Sequence, residues 1–400
     1  MTLPAGRILF VDDEEDVLEA LEDLLRPERY QFEMVFAKGA EAALAALARM
    51  PFDAIVSDMR MPVMDGAELL TRCKTEFPST ARIILTGHAD KDSILRAVPV
   101  AHQILDKPCD PAILRKTLRS ALAVREVLYD DRIRRAVMGA GVLPPVPRLY
   151  LALTGALRND AGAPELASIL ERDPSMCAKV LQVVNSAYFG LPHPIVSVSR
   201  AVAHLGIEMM RALVLMAEVF GSDQAPGPAE GFPLKALQQH SLTVARVSKA
   251  LIQDSKLADE ALMSGTVHDI GKVVLAYALP NDFRRATRIA SEQGRPIHEA
   301  EREVFGMSHA EVGAYLLLVW GMPLSIVDAV AHHHTPNAAR GESLEILTAI
   351  HVADALVHEL DPAERPGSRL QMEYLVRVGA VSRLPEWRAI TARVATLPAS

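Results

Sequence analysis

Four short apolar runs in the first 108 residues each end on side chains able to do chemistry. "RILFVDD" closes on Asp12 and Asp13, "FDAIVSD" on Asp58, "ARIILTG" carries Thr86 at its end, and "HQILDKP" carries Lys107. Packing alone does not place reactive groups at the end of every strand-like run. In an open parallel α/β sheet, ligands bind in the crevice outside the carboxyl ends of the strands. Strand-like runs alternate with amphipathic ones over residues 7–108, the βαβ pattern of such a sheet. The acids, the threonine and the lysine are therefore expected to converge.

Together these groups suit phosphoryl transfer. Clustered carboxylates, here Asp12, Asp13 and Asp58, hold Mg²⁺, a hard cation that takes oxygen ligands and keeps several waters. A carboxylate such as Asp58 can also act as nucleophile and become an aspartyl phosphate. Lys107 supplies a fixed positive charge to phosphoryl oxygens, and Thr86 a hydroxyl.

A chain of 400 residues suggests two or three domains, and 50% hydrophobic content leaves ample core. The net charge of −8 lacks the basic footprint of a nucleic-acid binder. Three widely spaced cysteines form neither a disulfide framework nor a zinc knuckle and fit a reducing compartment. The N-terminus has no signal-peptide pattern. The most apolar later stretch, "GAYLLLVWGMPLSIV", is broken by Gly321 and Pro323 and reads as two buried helix segments, not a membrane span. A cytoplasmic protein is expected.

After Pro111 the pattern turns helical. "AILRKTLRSALAVREVLYDDRIRRAV" predicts a helix running well past the sheet, read as a lever between domains, with a coiled-coil homodimer as the alternative. Gly139, Gly141, Pro144, Pro145 and Pro147 mark the next boundary, and "GSDQAPGPAEGFP" at 221–233 a second soft spot. The expected division is 1–125, a helical linker at 126–142, an all-helical domain at 143–340 and a helical extension at 341–400.

The helical half carries His240, His268–Asp269, His309, the run His332–His333–His334, and Asp354, several of them on apolar helix faces. Burying so many ionisable groups is costly unless they pair or bind metal. Imidazole and carboxylate together suit Mn, Fe, Ni or Zn. Ligands spread over several facing helices are how bundle metal sites are built. Asp269 could bridge two metals, and Lys272 one turn later could contact a phosphate. The competing reading is a metal-free polar core kept for packing.

The first 125 or so residues resemble the receiver domain of bacterial response regulators, a flavodoxin-like, doubly wound α/β fold. The resemblance implies that Asp58 is the phosphoacceptor, that Asp12, Asp13 and the Arg60 carbonyl hold Mg²⁺, that Thr86 and Lys107 form the switch pair, and that Lys107–Pro108 is cis. It also implies a sensor histidine kinase as phosphodonor. Ile104 stands where receivers usually carry an aromatic switch residue.

The pattern His240 … His268–Asp269 … Asp354 looks like the HD phosphohydrolase superfamily, and "HDIGK" followed by His309 and His333–His334 looks like its HD-GYP branch, which cleaves cyclic di-GMP. The Gly-Tyr-Pro signature is absent, and Ala236 stands where trinuclear members carry a glutamate. A closer resemblance is to the HDOD domain, a modified HD domain, through "LPPVPRLYLAL", "ILERDPSMCAKVLQVVNSAYFG", "SRAVAHLGIEMMRALVL", "VHDIGKVVL" and "HAEVGAYLLLVWGMP". That family is generally regarded as non-catalytic. The resemblance thus implies a response regulator whose output works by contact with a downstream signalling protein, such as a cyclic di-GMP enzyme. The alternative is a phospho-activated, metal-dependent phosphodiesterase, with no cyclic di-GMP turnover expected.

Overall fold

The computed structural model describes residues 6–87, 96–97, 100–127, 131–139, 153, 156, 161–185, 191, 194–206, 229, 231–320, 322–339, 344–360 and 368–396. The glycine–proline boundary at 140–150 and the soft spot at 221–228 lie outside the described residues. The chain divides into two compact units, one built mainly on residues 1–142 and one on most of 143–400.

The first unit is a parallel sheet of β1 (Arg7–Asp12), β2 (Glu33–Lys38), β3 (Ala54–Asp58), β4 (Ala81–Thr86) and β5 (Gln103–Asp106), in the order β2-β1-β3-β4-β5. Its described helices are α1 (Glu15–Leu25), α2 (Ala40–Arg49), α3 (Gly66–Glu76), α4 (Pro111–Val127) and α5 (Asp131–Gly139). The central strands are apolar along their length because helices cover both faces. Ile8, Leu9, Phe10, Ile55 and Ile84 are fully buried, each contributing roughly 1.5–3 kcal/mol of transfer free energy. The strand order reverses at β1 and β3, whose carboxyl ends carry Asp12 and Asp58. That crevice is where such a sheet binds ligands.

The helix expected over 111–138 is described in two stretches. Helix α4 is described to Val127, and α5 is held against the sheet. Arg82, fully buried at the start of β4, donates to the carbonyls of Val100 (2.7 Å), Thr80 (3.2 Å) and, at the end of α5, Met138 (2.8 Å). The His102 ring nitrogen Nε2 also lies 2.9 Å from the Met138 carbonyl. The last carbonyls of a helix carry partial negative charge, so a buried guanidinium is a fitting anchor. Leucine periodicity could show that these stretches are helical but not that the second one packs against Arg82 of the sheet.

The second unit is helical, and its described residues contribute no strand, as expected from Pro147 onward. It comprises α6 (Ala163–Leu170), α7 (Pro174–Val184), α8 (Leu234–Leu251), α9 (Ser255–Val267), α10 (Ile270–Ala278), α11 (Pro280–Gln293), α12 (Ile297–Phe305), α13 (His309–Val319), α14 (Leu324–His332), α15 (Leu344–Leu360), α16 (Met372–Arg377) and α17 (Leu384–Ala395). Helix α8 packs on α9, α15 and α17. Val244 and Val247 of α8 meet Ile346 and Ile350 of α15 and Trp387 of α17 in one buried cluster. That core fixes α8 beside α15, which between them carry His240 and Asp354. Among the described residues, no helix is long and apolar enough to cross a membrane.

Candidate functional site

In the first unit three of the strand-end residues, Asp12, Asp58 and Lys107, come together. Lys107 Nζ lies 2.5 Å from both Asp12 Oδ2 and Asp58 Oδ1. Asp58 Oδ2 accepts the Arg60 backbone N–H at 2.6 Å, and Asp12 Oδ1 accepts that of Glu14 at 3.0 Å. Asp13 and Arg60 line a cleft of about 510 Å³. Thr86 is buried and donates to the Gly87 carbonyl. Ile104 is buried in β5, and the Lys107–Pro108 bond is cis. Gly66 opens α3, and a Cβ there would sit 2.1 Å from the Asp58 carbonyl oxygen. Only glycine lets the helix start this close to the acid.

Burial raises the Asp58 pKa, against the Lys107 ammonium, which holds it down. Burial also disfavours charge on Lys107, but its two carboxylate partners outweigh this and raise its pKa. The acids Asp12, Asp13 and Asp58 with the Arg60 carbonyl are hard oxygen donors of the kind Mg²⁺ takes. The two-carboxylate hold on Lys107 fits a site built for extra positive charge.

In the second unit, six elements bring the predicted histidines and aspartates together. Two groups of donor atoms form, each with its atoms within 4.8 Å of one another: Asp269, His309, His333 and His334, and His240, His268 and Asp354. His240 Nε2 lies 3.0 Å from Asp354 Oδ1, and His309 Nε2 lies 3.0 Å from Asp269 Oδ1. His268 Nε2 lies 3.4 Å from Asp269 Oδ2, so Asp269 borders both groups. His332 stands outside both.

Local geometry explains how the motif builds this. In "HDIGK", a Cβ on Gly271 would sit 2.0 Å from the His309 carbonyl oxygen and 2.7 Å from the Gly313 nitrogen. The bare backbone lets α10 and α13 touch, and so carries His309 to Asp269. Gly306, at φ +78, ends α12 in the left-handed conformation that closes helices. The chain then turns directly into α13, placing Glu301 of α12 beside His309.

The outer ring nitrogens of three of these histidines are held, whereas Nδ1 of His240 is buried without a partner. Nδ1 of His268 donates to the Gly265 carbonyl (2.8 Å), that of His333 to the Val330 carbonyl (2.7 Å), and that of His309 to Glu301 (2.6 Å). These bonds fix the tautomer and turn each Nε2 lone pair inward, the arrangement typical of metal-ligating histidine. Nε2 of His268 and of His333, Oδ1 of Asp269 and Oδ2 of Asp354 are buried without a hydrogen-bond partner. His309 Nε2 and His334 Nε2 face each other at 3.0 Å. Orphaned inward lone pairs and two carboxylates are the donor set that Mn, Fe or Zn accepts; the residues fit a metal pair.

The protonation balance favours neutral ligands at three of the histidines. Burial depresses the pKa of His268, and pushes those of His333 and His334 well below the usual imidazole range. Burial favours the neutral acid at Asp269 and Asp354, but the surrounding histidines, with Lys272 at Asp269, hold both well below the usual carboxylate range. His240 and His309 differ. Burial works against their charge, yet Asp354 and Glu301 respectively raise their pKa values.

The centre is reached from a cavity of about 410 Å³ whose walls include His240, Asp269, Lys272, His298 and His334, opposite apolar Phe232 and Phe283. Ala236 lines the same cavity, so the position that would add a third carboxylate is bare wall. Lys272 Nζ is 2.7 Å from Asp269 Oδ2. In this state it braces the aspartate, where the sequence suggested a phosphate contact.

Three residues were missed in the sequence. Glu301 is fully buried and accepts both the Nδ1–H and the backbone N–H of His309. His298 stacks on His334 with ring centroids 4.1 Å apart. His358 lies one turn beyond Asp354, its ring 4.4 Å from that of His240. Glu301→Gln should keep the fold but weaken metal retention about 10–100-fold, the usual cost of losing an outer carboxylate on a ligating histidine. Titration of apo protein with Mn²⁺ measures this, and unchanged affinity would show that Glu301 does not orient His309.

Comparison with known proteins agrees with these two units. The family model for the response regulator receiver domain matches residues 8–119, and the model for the HDOD domain matches 143–336. The chain is similar to the response regulator protein FleR of Pseudomonas aeruginosa, 36% identical over 46% of this chain and 40% of that protein. It is also similar to the transcriptional regulatory protein FixJ of Bradyrhizobium diazoefficiens, 30% identical over 38% of this chain and 74% of FixJ. Among solved structures it resembles the MmoQ response regulator of Methylococcus capsulatus, 25% identical over 64% of this chain and 94% of that one, with a TM-score of 0.47. The chain spans less than half the length of several curated relatives it matches, FleR included.

Proposed function

The chain belongs to the response regulators, joining a receiver domain to an HDOD domain, and from that premise we propose that its output is a metal-dependent phosphoester hydrolase controlled by phosphorylation of Asp58. A sensor histidine kinase is the phosphodonor, with Mg²⁺ held by Asp12, Asp13, Asp58 and the Arg60 carbonyl.

One observation carries the reading of the output: a buried ligand cluster with unpartnered donor atoms, whose members Asp269, His240 and His334 line an open cavity. A core kept only for packing gains nothing from leaving Nε2 of His268 and His333 unsatisfied, since each buried orphan costs about 1–3 kcal/mol. Asp269, His309, His333 and His334, with His240, His268 and Asp354, would hold the metal, which would supply an acidified water and Lewis-acid polarisation of a phosphoryl oxygen. The protein supplies the rest. Glu301 and the Gly265 and Val330 carbonyls orient the imidazoles. Asp269 borders both donor groups, and Lys272 holds its outer oxygen while offering the cavity a cation for a phosphate. The apolar walls exclude water from the body of the substrate.

A second reading, output through contact with a downstream signalling protein, is favoured by the match to the HDOD model. The bare wall at Ala236 and the missing Gly-Tyr-Pro signature separate this cavity from the cyclic di-GMP enzymes, and no turnover of cyclic di-GMP is expected.

The test uses full-length protein expressed with manganese or iron, with and without phosphorylation. Metal content is measured, then turnover of bis(p-nitrophenyl) phosphate and of cyclic di-GMP. Bound metal and hydrolysis of the generic diester, both lost in Asp269→Asn, support the hydrolase. Protein free of metal and inert on both substrates would hand the output to protein contact.

A further inference from the structure

We propose that the C-terminal helices form a second ligand site, separate from the histidine centre, that takes a small amphipathic carboxylate. The inference does not depend on the histidine centre turning over a substrate.

The site is a cavity of about 450 Å³ walled by Leu251 and Ile252 at the end of α8, Thr348 and Ala349 of α15, and Val378, Ala380, Arg383 and Trp387 around α16 and α17. Most of these walls lie beyond the residues that match the HDOD model. The surfaces from Leu251, Ile252, Ala349, Val378 and Ala380 are aliphatic and suit the apolar body of a ligand.

The polar groups set the charge of the other end. Arg377 and Arg383 both line the cavity, against one carboxylate, the exposed Glu345. Among the described residues neither guanidinium pairs with an acid. Arg377 is spent on the carbonyls of Pro336 and Asn337, both at 3.1 Å. Arg383 is not. Its guanidinium lies 4.8 Å from the centroid of the Trp387 ring, and its one protein acceptor is the Leu251 carbonyl at a long 3.5 Å. Stacking on an aromatic face leaves the edge of the guanidinium fork free to take a carboxylate through two parallel bonds.

Trp387 lines the cavity, is 3% exposed and gives the Arg383 guanidinium the flat face it stacks on. The site also sits on the scaffold of the metal centre, since α8 carries His240 and α15 carries Asp354.

The probe is octanoate, with octanamide as its uncharged counterpart, titrated calorimetrically into the full chain. One saturable site for octanoate is expected, with octanamide about tenfold weaker or worse. Arg383→Gln should weaken octanoate by about tenfold, with Arg383→Lys falling between, because lysine keeps the charge but not the fork. Val378→Trp, a filling change at the half-buried rim, should block binding while leaving the melting profile intact, and it decides the matter if Arg383→Gln does not fold. The proposal is overturned if octanoate does not saturate, if octanamide binds as well, or if the folded variants bind like the wild type.

Discussion

Asp269→Ala is expected to empty both halves of the histidine centre at once. Asp269 Oδ1 lies 3.0 Å from His309 Nε2 in one donor group, and Oδ2 lies 3.4 Å from His268 Nε2 in the other. The other approach between the groups among the described residues is longer, His334 Nδ1 to Asp354 Oδ2 at 3.8 Å. Wild-type protein from manganese- or iron-supplemented medium should carry up to two ions per chain, one for each donor group, and the variant close to none. Stability should fall as well. The substitution leaves Lys272 without the carboxylate at 2.7 Å that offsets its charge, and removing one partner of a buried pair costs about 3–5 kcal/mol. Asp269→Asn separates the two effects, because it keeps the shape and a hydrogen-bond acceptor for Lys272 while withdrawing the negative charge. It should lose metal with a smaller drop in melting temperature. Chelator treatment of the wild type should lower its melting temperature towards that of the Asn variant, because a ligand that binds only the folded state stabilises it by mass action. Metal retained in both variants would dissolve the bridging role of Asp269 and with it the hydrolase reading.

The two sites were not equally legible in the sequence, for a physical reason. Strand ends announce themselves: a run of β-branched and aliphatic residues stops, and whatever follows stands at the sheet's edge. Asp12, Asp58, Thr86 and Lys107 could be placed this way without knowing a single contact. The histidines were legible by type, since imidazole on an apolar helix face needs explaining, but the same signal did not separate roles. His351 and Asp354 lie on the same helix, both buried. His351 proves structural, with Nδ1 on the His333 carbonyl and Nε2 taking the Gln371 N–H, whereas Asp354 faces the centre. Glu301 was hidden for the opposite reason. In "IHEAEREVF" it is one of three glutamates on an amphipathic helix, and nothing in the spacing says which of them turns inward. Arg82 likewise begins a strand where a solvated arginine would be ordinary, yet it is fully buried and anchors α5 through the Met138 carbonyl. Periodicity reports which face a residue occupies; it does not report what comes to meet that face.

Phosphorylation should depend entirely on Asp58. Acetyl phosphate with Mg²⁺ is expected to add one phosphoryl group to the wild type and none to Asp58→Asn, read by intact mass spectrometry. Asp12 and Asp13 are the competing carboxylates. Asp12 is 2% exposed, with one oxygen on the Glu14 N–H and the other on Lys107. Asp13 stands one residue later, on the wall of the cleft. Asp58 ends the central strand β3, with Oδ2 fixed by the Arg60 N–H and Oδ1 on Lys107. A nucleophile held in one orientation beside a cation is set up for attack on an incoming phosphoryl group. The Asn variant should fold normally, because Lys107 keeps Asp12 at 2.5 Å as a counter-charge. Loss of labelling would then report lost chemistry and not lost structure. Ile104→Tyr is the companion test. Ile104 is buried on β5, beside Ile84 of β4 and two strand positions from Thr86, so a tyrosine there should leave labelling intact while perturbing how Thr86 communicates with the helices outside the sheet. Labelling that survives in Asp58→Asn would mean that Asp12 or Asp13 can take the phosphoryl group, and the assignment of the three acids would have to be redrawn.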